Sequence, residues 1–282
     1  MTDTLATITD ESTARTVETS VGTVYYNEAG SGHPLLLLHG SGPGATGWSN
    51  FGRNMGMLSG HFRCIAPDMP GWGRSVTATY ETRDHVATVV ELLDALGIEK
   101  AAVVGNSMGG ATSVKLAATH PDRVSHLITM GVGYSGSRMF TPGDGPSEGL
   151  KLLQAGYVDP SPESMRRMVD IFTFDKSFAT DELVEQRSAV ARSRPDHLAN
   201  FIAGMSKPRR GVATAEEIAT ITAPSLFMHG RDDRVVHFEG SLNLVAMVPN
   251  SRMVLVNRCG HWLMLEHSDE FNRIVADFVM NN

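Results

Sequence analysis

The decapeptide VVGNSMGGAT, residues 103–112, decides the fold of this 282-residue chain. A run of small apolar residues ends at Gly105, and the segment GATSVKLAATH (110–120) then has a helical pattern. A serine flanked by glycines between a buried strand and a helix is typical of a nucleophile elbow, a tight turn that raises the serine hydroxyl above the edge of a sheet. Its neighbours must be small because strand and helix pack closely around the turn. We therefore predict that Ser107 is a nucleophile.

Continuous apolar segments on both sides of this turn predict a sheet that is buried on both faces. Five of them resemble the strand before Ser107: PLLLLHG (34–40), FRCIAPD (62–68), RVSHLITMG (123–131), APSLFMHG (223–230) and SRMVLVN (251–257). Such runs are typical of parallel strands. The earlier segment GTVYYNEAGSG (22–32) alternates apolar and polar residues and ends in turn-forming residues, which predicts an antiparallel strand.

A helical segment between these strands has a clear apolar face. In DHVATVVELLDALGIEK (84–100), that face carries Val86, Val89, Val90, Leu93 and Leu96, and Gly97 ends the helix. Strands that alternate with helices of this length indicate βαβ units. We therefore predict an α/β fold with a mostly parallel central sheet flanked by helices.

The alternation of strands and helices is interrupted after Gly131. Residues 139–208 have helical patterns and no convincing core strand, and prolines and glycines mark their beginning. We predict that this segment is an inserted helical lid, or cap, between a first part of the core (1–138) and a second part (209–282). A packed helical layer with no gating role is the alternative interpretation.

A serine hydroxyl is a weak nucleophile, so Ser107 needs a base and a group that orients the base. Later strands offer both at their carboxyl ends, where ligands bind in open α/β sheets. Asp232 and Asp233 follow one of these strands, and His261 follows the next. Of the 11 histidines, His261 alone follows the nucleophile and the acid at a strand end, so we predict that it is the base.

The predicted chemistry also requires backbone donors for a developing oxyanion. The residue after the nucleophile, Met108, supplies one N–H group. We assign the second to Ser41, because the loop after the early buried strand carries Gly40 and Gly42, which let the backbone approach a substrate oxygen.

Composition limits the partners of the chain. Its net charge is −7, so no nucleic-acid partner is expected. There is no run of 18 apolar residues, and the polar, acidic segment 1–19 has no apolar signal sequence, so we expect a cytoplasmic protein without a membrane partner. The two cysteines, Cys64 and Cys259, lack the spacing of a metal site, so no metal is expected.

Four motifs make nearly the whole chain similar to a known family. They are HGSGPGATGWSNFGRN (39–54), GNSMGG (105–110), GRDDRVV (230–236) and CGHWLMLEHSDEFNR (259–273). Together they resemble the α/β-hydrolase family and, more narrowly, the meta-cleavage product hydrolases of bacterial aromatic-ring catabolism. The resemblance implies the α/β-hydrolase fold and a Ser-His-Asp triad in which Asp233 is the acid. It also implies hydrolysis of a carbon–carbon bond in a 2-hydroxy-6-oxohexa-2,4-dienoate, which gives 2-hydroxypenta-2,4-dienoate and a carboxylic acid.

The resemblance further implies how such a small anionic dienoate is bound, without a cofactor, in a homodimer or homotetramer. Arg187 matches the family's carboxylate-binding arginine, Asn50 and Asn106 match amides at the same end, and Trp262 matches the indole after the histidine. Candidates for an apolar wall at the other end are Phe172, Val235 and Val236. The alternatives to these roles are that Arg187 is exposed on a helix and that Trp262 is only a packing residue.

Two departures from the family pattern and three rival functions remain open. Ser41 stands where several relatives have glycine, and HFEG (237–240) replaces an expected proline-containing turn, which affects the shape of the apolar subsite. A carboxylesterase would use the same triad, although an esterase for neutral substrates would not need Arg187. A non-catalytic ligand receptor and a structural oligomer module are the rivals from other classes.

Overall fold

The computed structural model describes residues 8–132 and 145–282, and an eight-stranded sheet runs through it. The strands are β1 (Ala14–Thr19), β2 (Gly22–Ala29), β3 (His33–Leu38), β4 (Phe62–Pro67), β5 (Ala101–Asn106), β6 (Val124–Met130), β7 (Ser225–Gly230) and β8 (Ser251–Val256). Their order across the sheet is β1-β2-β4-β3-β5-β6-β7-β8. The pairs from β4 through β8 are parallel, whereas β2 is antiparallel to both β1 and β4.

The predicted α/β fold is confirmed, and each segment predicted as a strand forms one. The antiparallel direction of β2 is also as predicted. The sequence analysis missed β1, which has the mostly polar sequence ARTVET and no buried residue. A strand at the edge of a sheet can remain polar because it covers little of the core, so hydrophobic periodicity does not reveal it.

Helices cover both faces of the sheet. The helices of the core are α1 (Asp10–Thr13), α2 (Gly47–Leu58), α3 (His85–Ala95), α4 (Met108–Thr119), α9 (Ala215–Ala219), α10 (Glu239–Met247), α11 (Leu263–Glu266) and α12 (Ser268–Asn281). Apolar residues of α2, α11 and α12 belong to one buried cluster, and those of α3, α4, α9 and α10 belong to the other. The two clusters lie on opposite faces of the sheet.

Strand β3 shows why the apolar runs are continuous. Leu35 and Leu37 pack in the first cluster, whereas Leu36 and Leu38 pack in the second, and none of the four is exposed to solvent. Successive side chains of a strand point to opposite faces, so a strand covered on both faces needs apolar residues at every position.

The predicted apolar face of α3 is only partly correct. Val89 and Leu93 are buried as expected, but Thr88 and Leu92 are buried beside them. The other predicted positions (Val86, Val90 and Leu96) are partly buried and pack against the same cluster. The buried stripe is therefore rotated slightly, and Gly97 follows the helix with a φ of 64°.

Between β6 and α9, the described part of the chain forms four helices: α5 (Glu148–Val158), α6 (Pro162–Phe172), α7 (Asp181–Ser193) and α8 (Pro195–Gly204). No strand occurs within 145–208. The first residues of the predicted lid, 139–144, lie outside the described residues, so its boundaries and its gating role stay predictions. In the described part of the chain, no helix has the length and apolar character needed to cross a membrane.

Candidate active site

Ser107 occupies the tight turn that its sequence context predicts. It lies between the end of β5 and the start of α4, with a φ of 53° and a ψ of −112°. A positive φ is unfavourable for a residue with a side chain, and the surrounding structure must hold it. A Cβ atom at Gly105 would overlap the backbone of Gly109, and one at Gly109 would overlap the carbonyl of Leu38. The glycines of the motif are therefore required by close backbone contact.

The two predicted oxyanion donors lie beside this turn. Ser41 belongs to the oxyanion loop, residues 39–44, and Met108 is the first residue of α4. Neither backbone N–H donates a hydrogen bond to another described residue, whereas the N–H of Gly109 is held by the carbonyl of His39 at 3.1 Å. Both groups are thus available to a ligand oxygen, and the partial positive charge at the start of α4 favours a negative one.

Asp233 and His261 form the acid–base pair that their chain order predicts. Oδ2 of Asp233 lies 2.7 Å from Nδ1 of His261, and both side chains are buried. Oδ1 accepts hydrogen bonds from the N–H groups of Val235 and Val236, at 2.8 and 2.9 Å. Burial raises the pKa of the Asp233 carboxyl, but the His261 charge and the hydrogen bonds of His229 and His261 outweigh it and hold the pKa below its usual range. An ionised Asp233 keeps the proton on Nδ1, so Nε2 can act as a base.

A second histidine, His229, also contacts the acid. Its Nε2 lies 3.2 Å from Oδ2 of Asp233 and 2.8 Å from the carbonyl oxygen of Val236, and its Nδ1 lies 2.7 Å from Oγ of Ser241. His229 is not exposed to solvent at all. The sequence analysis missed it, although its position four residues before Asp233 at a strand end was a usable signal. The acid is therefore held from several sides.

Ser107 and His261 line the same cavity. The N–H of Ser107 donates to the carbonyl of Met130 at 2.9 Å, and a Cβ at the next residue, Gly131, would lie 2.7 Å from Nδ1 of His261. The structure shows no hydrogen bond between the two side chains in the part of the chain that it describes. Such hydrogen bonds often form only when a bound ligand tightens the site. The two side chains therefore line one cavity without a hydrogen bond between them.

The structure distinguishes the two acidic candidates after β7. Oδ2 of Asp232 accepts a hydrogen bond from the N–H of Arg258 at 3.0 Å, and Oδ1 lies 3.3 Å from the guanidinium of Arg231. Asp232 therefore stabilises the turn between two strand ends, while Asp233 faces the base.

Arg187, on α7, is the buried cation of this cavity. It is only 2% exposed, and its Nη2 lies 3.5 Å from the carbonyl oxygen of Pro43. Its Nε has no hydrogen-bond partner among the described residues. Burial lowers the pKa of the guanidinium to about 10, so it remains charged at neutral pH. A buried charge with unused donors is suited to pair with the carboxylate of a ligand.

Two amides also line the cavity. Nδ2 of Asn106 donates to the carbonyl oxygens of Met130 and His261, whereas its buried Oδ1 has no partner within the described ranges. Oδ1 of Asn50 lies 3.4 Å from the N–H of Gly40. Asn106 thus offers a free acceptor, for which a ligand hydroxyl is a suitable partner.

Aromatic and apolar side chains complete the cavity wall. Trp262 lies under the guanidinium of Arg187, at 4.8 Å from its ring centre, so it contacts the cation as well as packing. Phe172, on α6, meets the rings of His261 and Trp262 edge to face, at 5.1 and 5.0 Å. The sequence analysis did not identify Leu153, from α5, because it resembles any other core leucine in the sequence.

Twelve of the described residues line the cavity: Gly40, Ser41, Gly42, Ala45, Asn50, Asn106, Ser107, Leu153, Phe172, Arg187, His261 and Trp262. Ten of them were predicted from the sequence. Gly42 lies against the guanidinium of Arg187, since a Cβ there would be 3.1 Å from Nη2. Helices α5, α6 and α7 therefore contribute to the same site as the loops that follow the strands.

Val235 and Val236 were predicted to form an apolar wall of the cavity, but the structure gives them a different contact. They are not among the residues that line the cavity, and their backbone N–H groups hold Asp233 instead. In the HFEG segment, Nδ1 of His237 lies 3.2 Å from the carboxylate of Glu239, where α10 begins. The shape of the apolar subsite stays a prediction.

Metal-ligating residues are not clustered in the described parts of the chain, where no group of three or more His, Cys, Asp or Glu side chains is arranged to hold an ion. Cys64 and Cys259 are free and buried. Burial raises the pKa of the Cys64 thiol to about 12, so it is not a reactive thiolate at neutral pH.

Comparison with known proteins identifies the family of this chain. The sequence profile of the alpha/beta hydrolase fold matches residues 33–268. A 2-hydroxy-6-oxononadienedioate/2-hydroxy-6-oxononatrienedioate hydrolase of Dechloromonas aromatica is 39% identical over 289 residues, which cover 99% of each chain. A 2-hydroxy-6-oxo-6-phenylhexa-2,4-dienoate hydrolase of Burkholderia cepacia is 41% identical over 92% of this chain and 91% of its own. A solved meta-cleavage product hydrolase from Pseudomonas fluorescens IP01 superposes with a TM-score of 0.82 at 33% identity, over 94% of this chain and 96% of its own.

Proposed function

The chain belongs to the alpha/beta hydrolase fold family and, within it, to the meta-cleavage product hydrolases; from this premise we propose that it hydrolyses a carbon–carbon bond in a 2-hydroxy-6-oxohexa-2,4-dienoate. The products are 2-hydroxypenta-2,4-dienoate, or a substituted form of it, and a carboxylic acid. The two relatives are named for a nonadienedioate or nonatrienedioate and for a phenylhexadienoate. These names share the dienoate end and differ in the group attached to C6.

One observation carries this proposal beyond a general serine hydrolase. The cavity that contains Ser107 and His261 also contains the buried guanidinium of Arg187, which has unused donors. A site for a neutral ester gains nothing from a buried charge, because desolvating a charge is costly unless a partner compensates it. A substrate carboxylate supplies that partner, and Oδ1 of Asn106 offers an acceptor to the neighbouring 2-hydroxyl.

The first step moves a proton within the bound substrate. His261 takes the proton of the 2-hydroxyl, and C5 is protonated, so the dienol becomes a 2,6-diketone. This step places an ordinary ketone at C6, next to the bond that breaks. The charge of Arg187 and the contacts of Asn106 hold the carboxylate end while the electrons move along the chain.

The second step cleaves the C5–C6 bond. Ser107, or a water molecule activated by His261, attacks the C6 carbonyl, and the resulting oxyanion accepts hydrogen bonds from the N–H groups of Ser41 and Met108. Collapse of this intermediate breaks the C5–C6 bond and leaves its electron pair on the dienolate, which His261 protonates. In the serine route, water then hydrolyses the acyl-enzyme. Asp233 stabilises the imidazolium that forms in each transfer.

The test is a panel of extradiol ring-cleavage products that differ at C6. We expect the yellow dienolate absorbance to disappear and one equivalent each of the dienoate and the carboxylic acid to form. Simple esters without a carboxylate are the matched comparison. Fast ester turnover without dienoate cleavage would refute the proposal and favour a carboxylesterase. No turnover of either class would favour a ligand receptor.

The family resemblance also supports a cytoplasmic homodimer or homotetramer that acts on a small molecule. The net charge of −7 argues against a nucleic-acid partner. Light scattering of the purified protein measures its oligomeric state, and cell fractionation measures its location. A monomer or a membrane-bound fraction would contradict these two parts of the proposal.

A further inference from the structure

The oxyanion loop is held from the core side by His39. Nδ1 of His39 lies 2.7 Å from the carbonyl oxygen of Gly40, and Nε2 accepts a hydrogen bond from the N–H of Met69 at 2.9 Å. Because Nε2 is the acceptor, Nδ1 carries the proton and donates to Gly40. In a trans peptide the C=O and the N–H point in opposite directions, so this bond sets the direction of the Ser41 N–H.

The same loop is also held by Tyr157, on α5. Its hydroxyl accepts a hydrogen bond from Nε1 of Trp72 at 2.8 Å and contacts the carbonyl oxygen of Ser41. An indole N–H can only donate, so the direction of this chain is fixed: Trp72 donates to Tyr157, and Tyr157 donates to Ser41. Burial raises the pKa of Tyr157 above its usual value, which keeps the hydroxyl protonated as a donor.

Tyr157 is itself placed by the helical insertion. Its ring is 3% exposed and stacks on Phe201 of α8, with 3.7 Å between ring centres and 7° between the planes. Next to it, a Cβ at Gly156 would lie 3.1 Å from the ring of Pro43 in the oxyanion loop. A side chain at Gly44 would overlap the backbone carbonyl of Arg187. The outer side of the loop is therefore packed against the insertion.

We propose that Tyr157 is a positioning residue that fixes Ser41 in the oxyanion loop, so that the helical insertion completes the oxyanion hole. Two consecutive peptide planes meet at Ser41: His39 holds the first and Tyr157 holds the second. Gly40 and Gly42 on either side leave the backbone free to rotate, so both bonds are needed to fix it. The inference rests on the proposed function, because that function assigns the Ser41 N–H as an oxyanion donor.

Replacing Tyr157 by phenylalanine removes only the hydroxyl. For Tyr157→Phe we expect kcat for the dienoate to fall by about tenfold to a hundredfold, since complete loss of one oxyanion donor costs about 10²–10³ in kcat. KM should change by less than about threefold, because the carboxylate end is bound elsewhere. The single change leaves the indole N–H of Trp72 without a partner, and the double variant Trp72→Phe/Tyr157→Phe removes that N–H as well. If the single variant folds poorly, the double variant replaces it in the test, and we expect the same loss of kcat.

Trp72→Phe is the matched control. It removes the bond to Tyr157 but leaves the hydroxyl that contacts Ser41. It also deletes more buried surface, so it should lower the melting temperature more than Tyr157→Phe while kcat falls by less than about threefold. If the loss of kcat instead follows the loss of stability across the two variants, Tyr157 has only a packing role.

A binding measurement tests the inference independently of carbon–carbon cleavage. A phenylboronic acid that adds to Ser107 forms a tetrahedral anion that uses the oxyanion donors, whereas benzoate is planar and binds as a carboxylate. Tyr157→Phe should weaken boronate binding at least about tenfold and benzoate binding less than about twofold. Equal losses for both ligands, or no loss for either, would overturn the inference. A wild-type protein that binds boronate but does not cleave dienoates would refute only the proposed function.

Discussion

The guanidinium carbon of Arg187 lies 4.8 Å from the centre of the Trp262 ring, and no acidic side chain forms an ion pair with it in the described ranges. A cation–π contact offsets only part of the cost of burying a charge. The arrangement is therefore costly in the free protein and favourable once an anion enters the cavity. Such a trade of stability for function is typical of binding sites.

Replacing Arg187 by methionine should separate these two effects. We expect kcat/KM for the dienoate to fall by about 10- to 100-fold, because a charged hydrogen bond contributes about 1.5–3 kcal/mol. Turnover of an ester without a carboxylate should change much less. The melting temperature should stay the same or rise, since a buried unpaired charge is removed. Equal losses for both substrates would show that Arg187 only supports the insertion. Arg192→Met, an exposed change on the same helix, is the control.

Two variants of Ser107 should separate its chemistry from its backbone strain. Both Ser107→Ala and Ser107→Gly should lower kcat by at least about a thousandfold. Ser107→Gly should also be more stable than Ser107→Ala by about 1 kcal/mol, because glycine adopts the φ of 53° without strain. Denaturant titration measures this difference. A variant of the buried Ser113 on α4, Ser113→Ala, should remain active. Wild-type rates in either Ser107 variant would remove the hydroxyl from the mechanism.

His229 is expected to act through the acid that it contacts. His229→Leu removes the group that lies 3.2 Å from Asp233, and we expect kcat/KM to fall by about tenfold, which is the cost of one charge-assisted hydrogen bond. His229→Gln places an amide donor near the same position and should recover most of the activity. Equal kcat/KM values for the leucine and glutamine variants would show that the hydrogen bond to Asp233 does not determine the activity.

His39 should make stability depend on pH below neutrality. Burial lowers the pKa of His39 to about 4, below the unfolded value of about 6.5, so folding favours the neutral ring. The stabilisation that comes from keeping the His39 ring neutral is fully present above pH 6.5 and is lost as the pH falls towards 4. Between pH 7 and pH 4.5 the advantage of wild type over His39→Asn in free energy of unfolding should shrink by about 2 kcal/mol. Urea titrations at the two pH values measure it, and a pH-independent difference would contradict the expectation.

The core strands and the elbow were predictable because they depend on local sequence. A strand buried on both faces must be apolar at every position, as in β3, and the turn at Ser107 tolerates only glycine at 105 and 109. Most of the predicted site residues line one cavity in the structure. The prediction failed for β1, whose residues are not buried, and gave Val235 and Val236 a contact that the structure does not show.

Several features of the site depend on contacts between distant parts of the chain. His229 touches the acid because a strand end and the following turn bring them together, and Tyr157 reaches the oxyanion loop across 116 positions of sequence. The Tyr157 contact has no periodicity or spacing that a sequence could display, whereas the four-residue spacing between His229 and Asp233 at a strand end was a usable signal. The cavity is likewise shared between the insertion and the core, so neither part alone contains it.

The sequence by itself determined the parallel sheet, the elbow and the order of nucleophile, acid and base, because close backbone packing and full burial leave few residue types possible at those positions. Only the tertiary structure decided that His229 and His261 both contact Asp233, that the Nε of Arg187 is buried without a partner in the described chain, and that Tyr157 contacts the oxyanion loop. The physical reason is that orientation and desolvation are properties of a packed environment, and residues far apart in the chain build that environment together.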